Sequence, residues 1–262
     1  MKQSDHDFAK SEVALRFAKA SQSYTQEAVV QKQICQHLIM LMKAQIQDND
    51  LKRVFEIGCG SGNLTALLST TLEIEQLFLN DLYPEVIQHF QNEPFLNPIE
   101  WCIGDAEKIS FPTRLDVIAS SSAFQWMHDL DLVLNKSQQA LQEKGYLCFS
   151  TFGKQNLQEI KALTGQGLSY FTLQEIQEKL LQHNFKILHI SEQSLHLNFD
   201  HPKMVLQHLK ATGVTATASK HRWTKQSLQQ FYDDYAQFST QHQPAKFRLS
   251  YHPIYVIARS IA

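Results

Sequence analysis

Between residues 51 and 150, apolar runs alternate with segments of helical spacing. Val54, Phe55 and Ile57 predict a strand at 53–57, and apolar residues from Asn63 follow helical spacing to about residue 70. Leu77-Phe78-Leu79 predicts a second strand ending at Asn80-Asp81, and Pro84 then suits the first turn of a helix. A third strand is expected near 99–103. A fourth, buried strand is expected at Leu115–Ser120 with a loop at Ser121-Ser122, and a fifth at Tyr146–Thr151 after a turn at Lys144-Gly145. Upstream, Val13, Phe17, Ala20 and Tyr24, then Ile34, Leu38, Leu41 and Met42, recur at helical spacing, so the first 50 residues read as helical. Downstream, Thr172 with Glu175 is a capping-box signature for a helix to about Gln182. Phe185 to Phe199 reads as extended, and 202–211 and 224–238 as helical. Tyr251–Ala258 reads as a last strand, with Pro253 marking an irregular start or an edge position.

This alternation predicts an α/β fold with a Rossmann-like parallel sheet covered on both faces. A chain of 262 residues fits one such domain with an appendage. About fifty residues with two helices separate the last two strand candidates. An insertion at about 200–245, joined by the helices of 1–50, is expected to form a helical lid on a single functional domain spanning 51–262. In such sheets ligands bind at the carboxyl ends of the strands. Function is therefore expected at 56–62, 81–82, 104–106 and 120–126.

Composition narrows the class. The 43% hydrophobic fraction supports a large core. No run reaches the roughly 18 apolar residues of a membrane span, and the polar N-terminus lacks a signal-peptide core, so a cytoplasmic protein is expected. The four cysteines, Cys35, Cys59, Cys102 and Cys148, form no C-x-x-C pair and read as reduced thiols. Twelve histidines form neither H-x-x-x-H nor H-E-x-x-H, and no metal is expected. Net charge is −2 but uneven. Residues 201–262 hold eight basic and two acidic side chains, against sixteen and twenty-four elsewhere, so +6 faces −8. That asymmetry suits a partner of negative charge near the C-terminal part.

The chemistry is concentrated in Glu56-Ile57-Gly58-Cys59-Gly60-Ser61-Gly62-Asn63, where a strand ends in alternating glycines and passes into a helix. This is how a doubly wound sheet brings backbone N–H groups to a nucleotide-like ligand. A dinucleotide fingerprint requires G-x-G-x-x-G, but here the third glycine comes one residue early, at Gly62. Glu56 would repel a pyrophosphate and welcome a cation such as the ammonium of S-adenosylmethionine. Gly58 and Gly60, flanking Cys59, let the backbone approach the methionine part. Asp81, 23 residues after Gly58, suits the ribose diol. Leu82 can lie on the adenine face, Asp105 can accept from the adenine amine, and the Ala106 N–H can donate to a ring nitrogen. No N-P-P-Y or D-P-P-Y follows the fourth strand, which argues against a nucleic-acid base as substrate. The intact glycines and acids argue against a catalytically silent subunit.

Glu56 to Leu64, Asn80-Asp81-Leu82 and Gly104-Asp105-Ala106 resemble class I methyltransferases. Val13 to Lys32 with Tyr24, the run Ala123-Phe124-Gln125-Trp126, Leu209 to Val214 and Leu249 to Arg259 narrow the likeness. Over nearly the whole chain it resembles the malonyl-acyl-carrier-protein O-methyltransferase family of biotin synthesis. Two positions depart from the family pattern: Thr25 stands where it has Asp, and Ser121 where it has Asn. The resemblance implies a seven-stranded sheet, S-adenosylmethionine as methyl donor with S-adenosylhomocysteine as product, and a malonyl thioester on an acidic acyl carrier protein as substrate. A malonyl carboxylate is already ionised at pH 7 and needs no general base, so no catalytic side chain is expected. Tyr24 and Ser121 are implied beside the cofactor, and Gln125, Trp126, Lys210, Arg222 and Tyr251 at the substrate. Lys210 and Arg222 can steer the phosphopantetheine or the carrier protein. A monomer without nucleic-acid or membrane partners is expected. The alternative is a class I enzyme acting on another small molecule, such as a quinone precursor or a free carboxylic acid.

Overall fold

The computed structural model describes residues 10, 28–47, 50–91, 99–213, 223–240 and 244–261. The chain divides into two compact units. One comprises Val29–Phe152, Phe171–Glu192 and Pro253–Ala262; the other comprises Met1–Ala28, Gly153–Tyr170 and Gln193–His252.

The first unit is built on a seven-stranded sheet of order β3-β2-β1-β4-β5-β9-β6. Its strands are β1 (Arg53–Ile57), β2 (Gln76–Asn80), β3 (Ile99–Trp101), β4 (Leu115–Ser121), β5 (Leu141–Phe152), β6 (Phe185–Glu192) and β9 (Pro253–Ser260). The ladder from β3 to β5 is parallel, whereas β9 runs antiparallel to both β5 and β6. The strand order reverses between β1 and β4, the crevice where open α/β sheets take ligands. Helices α1 (Val29–Gln45), α2 (Asn63–Thr71), α3 (Leu130–Ala140) and α5 (Leu173–Gln182) accompany it. Strands covered on both faces read as nearly continuous apolar runs. Phe55, Ile57, Ile118, Leu147, Phe149 and Val256 are all fully buried. Each such side chain contributes about 1.5–3 kcal/mol. The buried Asp116 is the exception that fixes register: its Oδ2 accepts from Lys52 N at 2.8 Å and Arg53 N at 2.7 Å, tying the start of β1 to β4.

The second unit contains a two-stranded antiparallel ribbon, β7 (Leu195–Phe199) with β8 (Phe247–Tyr251), and helices α4 (Gln158–Thr164), α6 (Pro202–Ala211) and α7 (Lys225–Asp234). A two-stranded ribbon is marginal alone. Here the fully buried Tyr235 packs edge-on against Phe231, Phe238 and Phe247 and donates to Arg248 O at 2.8 Å.

The seven-stranded fold agrees with expectation, and the differences lie at strand ends. The extended segment at 185–199 is two strands in different sheets, because Gln193 and Ser194 interrupt it. The strand expected from Tyr251 is also two: β8 ends at Tyr251 and β9 begins at Pro253. Pro253 marks a strand start, as expected, but β9 is bonded on both sides and is no edge. The strict alternation Phe247-Arg248-Leu249-Ser250-Tyr251 was the available signal for β8. β5 starts at Leu141 rather than Tyr146, since Leu141 pairs with Leu115 and the irregularity at Lys144-Gly145 lies within the strand.

Candidate active site

β1 delivers the chain into a turn in which Gly58, Gly60 and Gly62 have φ of 73°, 51° and 80°. Side chains are strained in that left-handed region and glycine is not. Gly58 has a second reason to lack a side chain: a Cβ there would lie 2.5 Å from Ala123 Cβ. At Gly60 a Cβ would meet nothing within 4 Å, so this backbone is open to close approach. The turn is bonded to the next strand, with Gly58 N and Cys59 N each donating to Asn80 O at 2.9 Å. Asn80 also donates from its side chain to Cys102 O at 2.7 Å and Gly104 O at 2.9 Å. One buried residue thus links the ends of β1, β2 and β3. The sequence placed Asn80 at the end of the strand and in the Asn80-Asp81-Leu82 motif but gave it no bridging role.

Two acids flank the turn. Asp81 accepts from Gly60 N at 2.8 Å through Oδ2 and from Leu82 N at 2.7 Å through Oδ1. Each carboxylate oxygen keeps acceptor capacity, the requirement for holding a vicinal diol. Burial pushes the Asp81 carboxyl up to about 6, opposed by these N–H donors. Glu56 is 1% exposed, and its carboxylate accepts from Thr65 Oγ at 2.6 Å. Burial raises Glu56 to about 8, with the Asp81 charge adding to the rise. Strand register turns it inward onto α2, and near pH 7 it is mostly protonated.

The third strand leads to Asp105. Its Oδ1 accepts from Glu107 N at 3.1 Å and its carbonyl from Lys108 N and Ile109 N, which folds 105–109 into a turn. Lys136 donates to Ala106 O at 2.7 Å and holds the turn from α3. Ala106 is buried.

After β4 the chain tightens again. Ser121 is the last residue of that strand rather than part of a loop, its Oγ lying 3.0 Å from Ser150 Oγ. Ser122 follows with a φ of 56°. Phe124–Trp126 forms a single 3₁₀ turn, and Gln125 donates to Ser122 O and accepts from Thr151 Oγ at 3.4 Å. The Gly58 turn, Asp81-Leu82, Asp105-Ala106 and 121–126 thus all sit at the carboxyl ends of the parallel strands of one unit, as expected.

Lys210 and Tyr251 belong to the other unit. Lys210 is exposed in the last turn of α6. Tyr251 is 1% exposed, with its hydroxyl 2.8 Å from His208 Nε2. Tyr24, Thr25 and Arg222 lie outside the described residues. The basic charge expected there is partly committed: Lys246 pairs with Asp200, and Arg259 lies in β9. The cysteines are free thiols, Cys35, Cys59 and Cys148 buried and Cys102 half-buried. Among the described residues no helix is long and apolar enough to cross a membrane.

Residues 55–149 match a protein family described as a methyltransferase domain. The chain is 52% identical over 252 residues to a protein of Acinetobacter baylyi named malonyl-acyl-carrier-protein O-methyltransferase, covering 95% of this chain and 96% of that one. It is 39% identical over 249 residues to a Bacteroides fragilis protein of the same name, covering 94% of this chain and 50% of that longer one. Among solved structures, a putative methyltransferase of Bacillus halodurans superposes with a TM-score of 0.62 at 12% identity, covering 86% of this chain and 99% of that one. At that identity the likeness concerns the fold alone.

Proposed function

Because the chain belongs to the malonyl-acyl-carrier-protein O-methyltransferase family, we propose that it methylates the free carboxylate of a malonyl thioester on acyl carrier protein. The product is the methyl ester that primes pimeloyl synthesis on the way to biotin. The observation that carries the reading is the meeting of the Gly58–Gly62 turn with the Asp81 carboxylate through the Gly60 N–H, at the switch point of the sheet.

The residues present fit S-adenosylmethionine. Gly60 leaves open space beside its backbone, and Asp81 keeps acceptor capacity for a ribose diol. Gly58, Cys59 and Gly60 would hold the methionine part; Asp81, Leu82, Asp105 and Ala106 would hold the nucleoside. Glu56 supports the cradle through Thr65, and Ser121 borders it. When bound, the cofactor would supply the methyl on its sulfonium, to be taken by a substrate carboxylate oxygen with the C–S electron pair left on sulfur. A carboxylate and a sulfonium become two neutral products, and no proton moves. The chain's residues therefore need only bind, orient and exclude water, and orientation alone can supply several kcal/mol. Gln125 and Trp126 border the reacting end and Tyr24 is assigned to the cofactor, while Lys210, Arg222 and Tyr251 are assigned to substrate and carrier recognition.

The proposal includes a cytoplasmic monomer, and a lid built from residues 1–50 and about 200–245. An acidic carrier suits the +6 charge of residues 201–262. The test is intact-protein mass. The protein is mixed with S-adenosylmethionine and malonyl carrier protein, with unloaded, acetyl- and succinyl-loaded carriers as controls. A gain of about 14 Da, one methyl, on malonyl carrier alone is expected. No gain, alongside calorimetric binding of S-adenosylmethionine, would reject the substrate and favour a small-molecule methyltransferase.

A further inference from the structure

The sheet face beneath α1 carries hydroxyls on three adjacent strands at one level. Ser121 on β4 pairs in register with Ser150 on β5, which pairs with Tyr255 on β9. Registered residues present their side chains on the same face. From α1, the Cys35 thiol donates to Ser121 Oγ at 3.3 Å, and His37 stacks on the Tyr255 ring with centroids 4.5 Å apart. A buried hydroxyl in such a sheet needs a partner.

Two of these oxygens have none. Tyr255 is 0% exposed, and its Oη finds no hydrogen-bond partner among the described residues. Ser122 Oγ is likewise buried and unpartnered. The Ser122 backbone is held at a φ of 56° while its N–H bonds Ser150 O at 3.0 Å and lies 3.2 Å from Ser150 Oγ. A serine persists in that conformation only where its surroundings impose it, and such strain gathers at functional sites. Ser122 and Tyr255 are thus both backbone neighbours of Ser150, near the carboxyl end of β5. Three further buried side-chain atoms lack a partner among the described residues: Gln31 Oε1 in α1, which only accepts, and Arg259 Nε and Ser260 Oγ, which lie at the other end of β9, paired with Tyr146 and Phe185.

A carboxylate nucleophile makes two demands. It must be held once water is gone, yet the attacking oxygen must keep its lone pair. A guanidinium would grip both oxygens at once. A neutral hydroxyl gives one proton to one oxygen. Burial pushes the Tyr255 phenol far above its ordinary range, so it remains a donor at every physiological pH. Glu56, whose charge the Cys35 thiol would feel, stays mostly protonated below about 8 and repels an incoming anion little.

Resting on the malonyl reading above, we propose that the hydroxyls of Tyr255 and Ser122 bind the malonyl carboxylate, both donating to the oxygen that does not take the methyl. They are then the discriminating groups as well. An acetyl thioester would leave both hydroxyls unpaired, and a site built around polar groups rejects a ligand that cannot use them.

The test uses Tyr255→Phe and Ser122→Ala in the full chain, each removing one oxygen. Because neither oxygen has a partner, a purely structural role predicts no loss of melting temperature and no change in kinetics. Three readouts are needed: KM and kcat for malonyl carrier protein, calorimetric binding of malonyl against unloaded carrier without S-adenosylmethionine, and thermal melting. We expect KM to rise about tenfold to a hundredfold in each variant, the range for losing a hydrogen bond to a charged group. The binding preference for malonyl carrier should fall by the same factor, while S-adenosylmethionine binding and melting temperature hold. Unchanged kinetics in both variants would overturn the assignment. So would a lowered melting temperature with unchanged KM, which would make these hydroxyls partners of buried water. If the parent protein methylates no malonyl carrier, the functional reading itself fails and the assignment falls with it.

Discussion

At the scale of single residues, the site is governed by what burial does to two carboxyls. Glu56 rises from 4.5 to about 8 and Asp81 from 3.8 to about 6, chiefly by desolvation. Both values lie above those of the unfolded chain, so the folded protein retains protons that the unfolded chain releases. Stability from Glu56 is therefore fully present below about pH 4.5 and is lost progressively as pH rises toward about 8. Asp81 acts in the same direction between about 3.8 and about 6. Melting temperature should accordingly fall as pH rises across the neutral range, and Glu56→Gln should flatten that fall. A steeper decline in the Gln variant than in the parent would contradict the assignment. Glu56 was legible in the sequence as an acid at a strand end. Its charge was not, because protonation depends on the α2 side chains that cover it.

Among the elements, the second unit depends on one buried clasp. Glu159 in α4 is 1% exposed and accepts from Ser250 N at 3.0 Å and from Ser250 Oγ at 2.5 Å. The Ser250 hydroxyl also lies 3.1 Å from His196 Nδ1 across the β7–β8 ribbon. Glu159→Ala strips the acceptor from a buried N–H and a buried hydroxyl at once. It should cost about 2–4 kcal/mol in urea denaturation, since each unsatisfied buried group costs roughly 1–3 kcal/mol. Proteolysis should then cut the second unit faster than the sheet. A loss below about 0.5 kcal/mol would show that the ribbon stands without the clasp. By contrast, the Thr172–Glu175 capping box that starts α5 was readable directly, because both partners are three residues apart in the chain.

For the whole molecule, the dominant feature is the segregation of charge, with +6 carried by residues 201–262 against −8 elsewhere. Exposed charges act at long range by steering encounter and are screened by salt. The double reversal Lys210→Glu with Arg222→Glu should weaken carrier-protein binding and reduce its dependence on ionic strength, leaving S-adenosylmethionine affinity unchanged. Titration of carrier protein at low and moderate salt checks this. Identical saturation curves for parent and double variant would remove both residues from carrier recognition.

The sequence by itself determined the order of strands and helices from 51 to 150, the glycine turn and the acids Asp81 and Asp105. Each of these is written in neighbouring residues: a periodicity, a backbone conformation only glycine takes without strain, or a polar residue at the end of an apolar run. It determined the family as well, through segments whose likeness needs no coordinates. Tertiary structure alone decided that Pro253 opens a strand bonded on both sides, that Asn80 joins three strand ends, and that Glu56 faces inward. It alone brought Ser121, Ser150 and Tyr255 level with one another, though they are 29 and 105 residues apart in the chain. The physical reason is that pairing between distant strands and the solvent exclusion it creates are properties of the packed sheet. No local stretch of chain encodes which hydroxyl will be buried without a partner.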